Sequence, residues 1–393
     1  MAELSGVNVE KLQGGLGRLA TGTDNHFALI VSGIPAGAVA TAINAAGKGL
    51  KITSLFAAEQ IGINVAFDAN NSLNLHADIV EFFRLAPEAT LYLFNSVVKA
   101  DLKAFINQNK EIKGYGFTTA YNVAVPNIAS TANAQQTIIN EFAAENRLID
   151  FCFIGFNELS VFTLDLFTLT NPNVSIIAAC SDASKVVQIG SALGMQAIRK
   201  VNENLGSVNI INKPLAKRGG ADYPLTDATL EKWLNAYLPD GRAVESIDKS
   251  VLLDIISKGY IVAAAYEGYA GFFLENSYTC IARDNDFGFV ENNRTWNKAA
   301  RIVRVTLLPE VKGVVKKDPA TGYIAPTTVS RWSGLLNKAL EPMIIDDEIS
   351  GFEAYIEQKQ LVNGTNPVKV KVTIVADGIV HEFDVAVGLT NNI

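Results

Sequence analysis

Between residues 27 and 215, short apolar runs alternate with longer amphipathic stretches, and this alternation leaves few folds open. The runs at 27–31, 91–94, 148–153, 175–179 and 208–211 have the length of strands, and the stretches at 38–46, 77–85, 132–146 and 184–193 have the spacing of helices. In 77–85 that spacing predicts Asp78 and Glu81 outside, with Ile79, Phe82 and Phe83 inside. Ser130 is the expected cap of the third helix. A mixed or parallel sheet layered with helices accommodates all of these segments.

Composition narrows the function classes. Only 19% of the 393 residues are charged, against about 25% for a soluble domain, which points to a surface partly covered by other protein. A formal net charge of −7 argues against broad capture of nucleic acid or anionic lipid. The first residues lack a basic region followed by an apolar one, so no secretory signal is expected. The weakly polar stretch 29–46 is broken by Ser32, Gly33, Pro35 and Asn44, and no membrane span is expected either. Cys152, Cys180 and Cys280 are widely spaced and sit mostly in apolar runs, as buried reduced thiols do.

The flanks differ from this body. At the start, Val7-Asn-Val9 alternates like a short strand, and Gln13-Gly-Gly-Leu-Gly17 interrupts any helix. Such a segment has no core of its own and must lie on another part of the protein or on another molecule. A charged, linker-like passage covers 213–224, Leu230, Trp233, Leu234 and Tyr237 predict a short helix, and 251–257 another. Residues 260–265 and 271–275 read as neighbouring strands. A helix introduced by Trp296 carries Ala299, Ile302, Val303, Thr306 and Leu307 on one face and closes at Pro309. A second, capped by Thr327 or Thr328, carries Trp332, Leu335, Leu336, Ala339 and Leu340 and stops before Pro342.

The tail alternates at 349–356 and again at Val368, Val370, Val372 and Ile374, with a turn at Asn363-Gly364 between them. Asp377-Gly378 suits a type I′ turn, predicting a hairpin whose return strand presents Ile379, His381, Phe383, Val385 and Val387 on one face. The outer edge of that strand is expected to stay open within the subunit. The fold class is α/β, or α+β overall, with extended N- and C-terminal arms. Its expected parts are an arm at 1–25, an α/β region at 26–255, a mixed domain of two helices and a hairpin at 256–378, and an arm strand at 379–393.

Familiar chemistry is missing. Gly15-Leu-Gly17-Arg-Leu-Ala20 spells a dinucleotide fingerprint, but the loop 21–25 would break its helix within the first turn. Gly47-Lys48 lacks the leading Gly and the Ser or Thr of a phosphate loop. His26, His76 and His381 have no metal-ligand spacing, and Asp346-Asp347-Glu348 reads as a solvated loop. No catalytic, cofactor-binding or metal residue is assigned. Arg294, Lys298, Arg301 and Arg304 recur on one helix, either as a solvated face or as a stripe for an acidic partner.

The order of the last hundred residues resembles the C-terminal domain of contractile tail sheath proteins of phage tails, tailocins and related injection systems. The residues that carry it are Phe287-Gly-Phe-Val-Glu-Asn-Asn-Arg-Thr-Trp296, the Trp332 helix ending at Lys338-Ala-Leu-Glu-Pro342, Ile349-Ser-Gly-Phe-Glu-Ala-Tyr355 and the closing hairpin. The start, Val7-Asn-Val-Glu-Lys-Leu-Gln-Gly-Gly-Leu-Gly17, is also similar.

The resemblance implies a non-enzymatic subunit, without cofactors, of hexameric rings stacked as a helical sleeve around an inner tube, which contraction drives through an envelope. It further implies baseplate and terminator proteins as partners, assembly in the bacterial cytoplasm, and strand exchange through Val7, Asn8, Val9, Glu10, Lys11, Leu12, Val380, His381, Glu382, Phe383, Asp384, Val385 and Val387. The basic stripe takes a tube-facing role in this scheme. Neither direct nucleic-acid binding nor stable membrane insertion is expected. Two other readings stand beside it: an α/β enzyme or ligand-binding protein with a site at the strand ends of the sheet, and an inner tube or baseplate component.

Overall fold

The computed structural model describes residues 24–44, 47–119, 127–209, 225–227, 229, 231–362, 367–381, 383 and 385. The expected N-terminal strand Val7-Asn-Val9 with the other exchange residues to Leu12, the passage 213–224 and the turn Asn363-Gly364 lie outside the described residues, as do Glu382, Asp384 and Val387.

The chain runs β1 (His26–Val31), α1 (Ala38–Ile43), β2 (Leu50–Ile52), α2 (Leu55–Gln60), α3 (Val65–Asn71), α4 (Leu75–Leu85), β3 (Thr90–Asn95), α5 (Lys99–Gln108), β4 (Gly114–Thr119), α6 (Ile128–Ala144) and β5 (Phe151–Phe156). It continues through β6 (Thr170–Asn171), β7 (Val174–Ile177), α7 (Ile189–Ile198), α8 (Lys249–Ser257), β8 (Ala263–Tyr266), β9 (Tyr269–Leu274) and β10 (Cys280–Ile281). The last elements are α9 (Val290–Leu307), α10 (Pro326–Ile345), β11 (Gly351–Ile356) and β12 (Val370–Val375).

Six strands form one sheet in the order β2-β3-β1-β4-β5-β7, parallel except for β2. Strands β1, β3, β5 and β7 are buried almost throughout, which is why each reads as an unbroken apolar run. The two faces are set by residues that alternate along β4. A Cβ at Gly116 would meet Ile189 of α7, whereas the hydroxyl of Tyr115 on the other face donates to Gln135 of α6 at 2.9 Å. This core extends through Val290, and separate apolar clusters hold α9, α10, β11 and β12 together.

Several expectations are corrected. Asp78 and Glu81 are buried, because α4 meets α7 on its second face. Asp78 accepts from the backbone N–H of Gly190 at 2.7 Å. Glu81 accepts from Arg84 at 2.8 and 2.9 Å, Ser191 at 3.0 Å and Trp233 Nε1 at 3.1 Å. Gly190 makes this approach possible, since a Cβ there would lie 2.1 Å from the carbonyl oxygen of Asp78.

Trp233 is drawn inward to Glu81, so no helix forms among the described residues of 230–237. Cys180 instead bridges to Tyr237. Strand β5 begins at Phe151 rather than 148, and α7 begins at Ile189 rather than 184. Asn127, not Ser130, caps α6. Strands β2 and β4 and helices α2, α3 and α5 have no counterpart in the sequence reading, being short or interrupted by glycine and polar residues.

The C-terminal helices are longer than expected. Helix α9 starts at Val290, and α10 is preceded by Ala325, opens on Pro326 and runs past Pro342 to Ile345. A proline in the last turn forfeits few backbone bonds, so it does not end the helix. The hairpin is the largest correction. Strand β12 pairs antiparallel with β11, and the described residues after Val375 form no strand.

The burial of Asp78 raises its carboxyl to about 7, against the hydrogen bond from Gly190, while the charges of Asp68 and Glu81 raise it further. Its stabilising, protonated form is complete below the ordinary carboxylate range and is lost as pH rises through 7. Between pH 5 and 8, unfolding measurements should show the protein losing on the order of 2 kcal/mol relative to Asp78→Asn, whose amide keeps the Gly190 bond. Parallel pH profiles would contradict this. Gly190→Ala should cost about 1–3 kcal/mol through the clash with α4, measured as the shift of the denaturant midpoint.

Candidate assembly interface

Helix α9 is packed on two sides. Its apolar face, Ala299 with Ile302 and Val303, lies on Leu340 and Met343 of α10 and on Phe352, Val372 and Ile374 of the C-terminal sheet. Its polar face lies across the ends where the parallel strands begin. Asn293 donates to the carbonyl of Pro172 ahead of β7 at 2.8 Å. Asn297 donates to Asp150 ahead of β5 at 2.9 Å, and Arg301 to the same carboxylate at 2.8 Å. Lys298 reaches Asp24 ahead of β1 at 2.8 Å.

The expected basic stripe is therefore corrected. Arg294 is fully enclosed, stacked on Phe27 with its guanidinium 5.8 Å from the ring centre and donating to the carbonyls of Gln196 and Lys200. Lys298 and Arg301 are ion-paired within the chain. Only Arg304 of the four is exposed. Partners more than a hundred residues away in sequence, such as Asp150, turn an outward-looking pattern inward.

Beyond α9 the C-terminal core is unfinished. Strands β11 and β12 form a two-stranded sheet, and among the described residues β12 has no neighbour on its other edge. Beside that edge, Val370, Val372 and Ile374 face Trp296, Val303 and Leu307 of α9 across an open apolar groove of about 450 Å³. The groove was not foreseen from the sequence, although the alternation of 368–374 that lines it was. Past Asp377 the chain carries exposed apolar side chains, with Val380 63%, Phe383 81% and Val385 72% exposed. His381 stacks on Phe289, the ring centres 5.1 Å apart. Among the described residues the subunit thus holds an incomplete sheet and, on the same chain, exposed apolar side chains outside any strand.

The opposite end of the body holds a second concavity. The ends of β1 and β4 flank a cleft of about 160 Å³ whose described lining includes Ser32, Asn74, Asp78, Thr118 and Asn157. Doubly wound folds place ligands at such a switch point. Here the described lining carries no Lys, Arg or His, and Asp78 is occupied by Gly190. All three cysteines are buried, with burial raising their thiols well above the usual range. No helix among the described residues is long and apolar enough to cross a membrane.

The N-terminal domain of DUF2586 matches residues 4–278, and the C-terminal domain of DUF2586 matches residues 286–393. The chain belongs to the DUF2586 family. Its division falls close to the change of core near Val290 in this DUF2586 protein.

Its fold is similar to that of a chain in the cryo-EM structure of the anti-feeding prophage baseplate, at 12% identity, with 100% of both chains covered and a TM-score of 0.58. It is also similar to the crystal structure of the sheath tail protein from Listeria innocua, at 8% identity, covering 91% of this chain and 96% of that one with a TM-score of 0.52. The sheath tail protein from Desulfitobacterium hafniense aligns at 8% identity over 94% of this chain and 100% of that one, with a TM-score of 0.48. No curated protein matches the chain. The likeness to sheath proteins anticipated from the C-terminal residues is thus present in the fold as a whole.

The contacts of α9 make a direct prediction. Asp150 is only 1% exposed, so Arg301→Ala leaves a buried carboxylate without its cation. Denaturant unfolding should show a loss of about 3–5 kcal/mol, most of it regained in the double variant Asp150→Asn with Arg301→Met. A single-variant loss under about 1 kcal/mol would mean that α9 is not held in this way.

Proposed function

We propose that this protein is a structural subunit of a contractile tail sheath, polymerising as a helical sleeve of hexameric rings around an inner tube. Contraction of the sleeve drives the tube through a target envelope, and the work comes from the polymer rather than from catalysis. The observation that carries this reading is the open edge of β12 beside an apolar groove, on a chain that also carries exposed apolar residues after Asp377. A strand from a second copy would satisfy the free backbone groups of β12 and fill the groove in one step. Strand addition of this kind is directional, and contacts that do not close on themselves generate helical polymers.

The donors in this reading are the two arms, Val7 to Leu12 at the start and Val380 to Val387 at the end. Backbone pairing holds neighbours in fixed register while the α/β bodies rotate, so the mesh stays connected through contraction. The fold shared with a sheath tail protein and with a chain of the anti-feeding prophage baseplate supports the same role. Baseplate, terminator and tube proteins are the partners it implies, in an assembled tail or injection particle. Of the four basic residues, Arg304 alone keeps the tube-facing role, since the others are engaged inside the subunit.

Deleting residues 8–13 or 380–387 should abolish tubes in negative-stain images of the protein produced with its tube partner, while leaving the thermal unfolding of the body unchanged. Ile374→Lys, which places a charge in the groove, should also abolish tubes, together with a loss of stability of the C-terminal unit because Ile374 packs on the α9–α10 cluster. Full-length tubes from either deletion would overturn the exchange reading.

A further inference from the structure

The two arm roots, Asp24 and Asp377, are both tied to the junction between α10 and β11, each by a defined polar contact. Asp24, two residues ahead of β1, lies 2.8 Å from Lys298 Nζ. The same ammonium reaches Glu348 at 2.5 Å, where the chain passes from α10 towards β11. On the other side, the Asp377 carboxylate accepts from Asn202 Nδ2 at 2.6 Å and from the Ser350 hydroxyl at 2.5 Å. Asn202 also donates to the carbonyl of Asp347 at 2.8 Å, and Lys200 to that of Asp346 at 2.7 Å. A loop of the α/β body therefore grips the C-terminal unit at the points where its sheet begins and where its arm departs.

These contacts are more than surface decoration. Lys298, Asp24 and Glu348 are 21%, 25% and 9% exposed, so solvent screens their attraction less than it does for an open pair. Burial alone would push the Asp24 carboxyl up, yet Lys298, with Arg294 and Arg301 behind it, holds it below the usual range. Asp24 itself lies outside the paired strand, since the register of β1 against β3 begins at His26.

We infer that Asp24, through Lys298, and Asp377, through Asn202 and Ser350, are positioning residues that fix the direction in which each arm leaves the subunit. The inference rests on the strand-exchange reading and assigns it a mechanism of aim. A tethered strand finds its acceptor at an effective concentration set by the volume it explores, and pinning the root shrinks that volume. Ordering carried out in the free subunit also lowers the cost of ordering on binding. Loss of a root contact would then weaken assembly without removing any contact between copies.

The test uses full-length subunits spin-labelled at Thr21→Cys and Glu267→Cys, since the three native cysteines are buried. Electron–electron distance measurements on free subunits should give a narrow distribution for the parent protein. Asp24→Ala, which leaves the Lys298–Glu348 pair intact, should broaden it about twofold or more and lower the yield of tubes about tenfold. Asp377→Ala should lower tube yield to a similar degree, and neither variant should shift thermal unfolding of the body by more than a few degrees. Identical distance distributions for Asp24→Ala and parent would overturn the assignment. If the parent forms no tubes with its tube partner, the strand-exchange reading fails, while the distance comparison still decides whether Asp24 aims the arm.

Discussion

One helix with two buried faces organises this protein. The polar side of α9 is pinned under the sheet by Asn293, Asn297, Lys298 and Arg301, and its apolar side carries α10 and the C-terminal strands. Desolvating that many charged and amide groups is unfavourable unless each finds a partner of good geometry. The partners come from Asp24, Asp150 and Pro172, at the beginnings of three parallel strands. Their positions fix where the C-terminal sheet stands on the body, and with it the direction in which its open edge faces.

Much of the body was legible in its residues because a parallel sheet buried on both faces leaves an unmistakable trace. Strands β1, β3 and β7 fall within a residue or two of the apolar runs that announce them. What escaped was long-range pairing. Asp78 and Glu81 look like a solvent face in their own helix, and only Gly190 and Ser191 of α7, more than a hundred positions later, make them internal. The same holds for Arg294 and Arg301, whose spacing marks a helix face but says nothing of the carbonyls and carboxylate waiting for them.

The tail shows a local signal overruled by context. Asp377-Gly378 has the chemistry of a tight hairpin turn. In the fold, however, the Asp377 carboxylate is drawn to Asn202 and Ser350, and β12 pairs back to β11. The alternation of 368–374 was readable, while the groove it makes with α9 was not, since that groove depends on how far apart two separately predicted elements stand. An incomplete core is invisible to any reading that assumes each apolar residue finds its partners in its own chain.

An unpaired strand edge beside an apolar groove is costly to leave exposed, and soluble proteins usually blunt or cover such edges. In the proposed assembly, its presence together with the exposed apolar side chains after Asp377 is explained by copies that complete one another. The most direct measurement is amide hydrogen exchange along Val370–Val375, comparing free subunits with assembled particles. Alternate amides of β12 should exchange rapidly in the free subunit and become protected by about a hundredfold or more on assembly. Equal protection in both states would mean that the edge is closed within the single chain, and the account would fail.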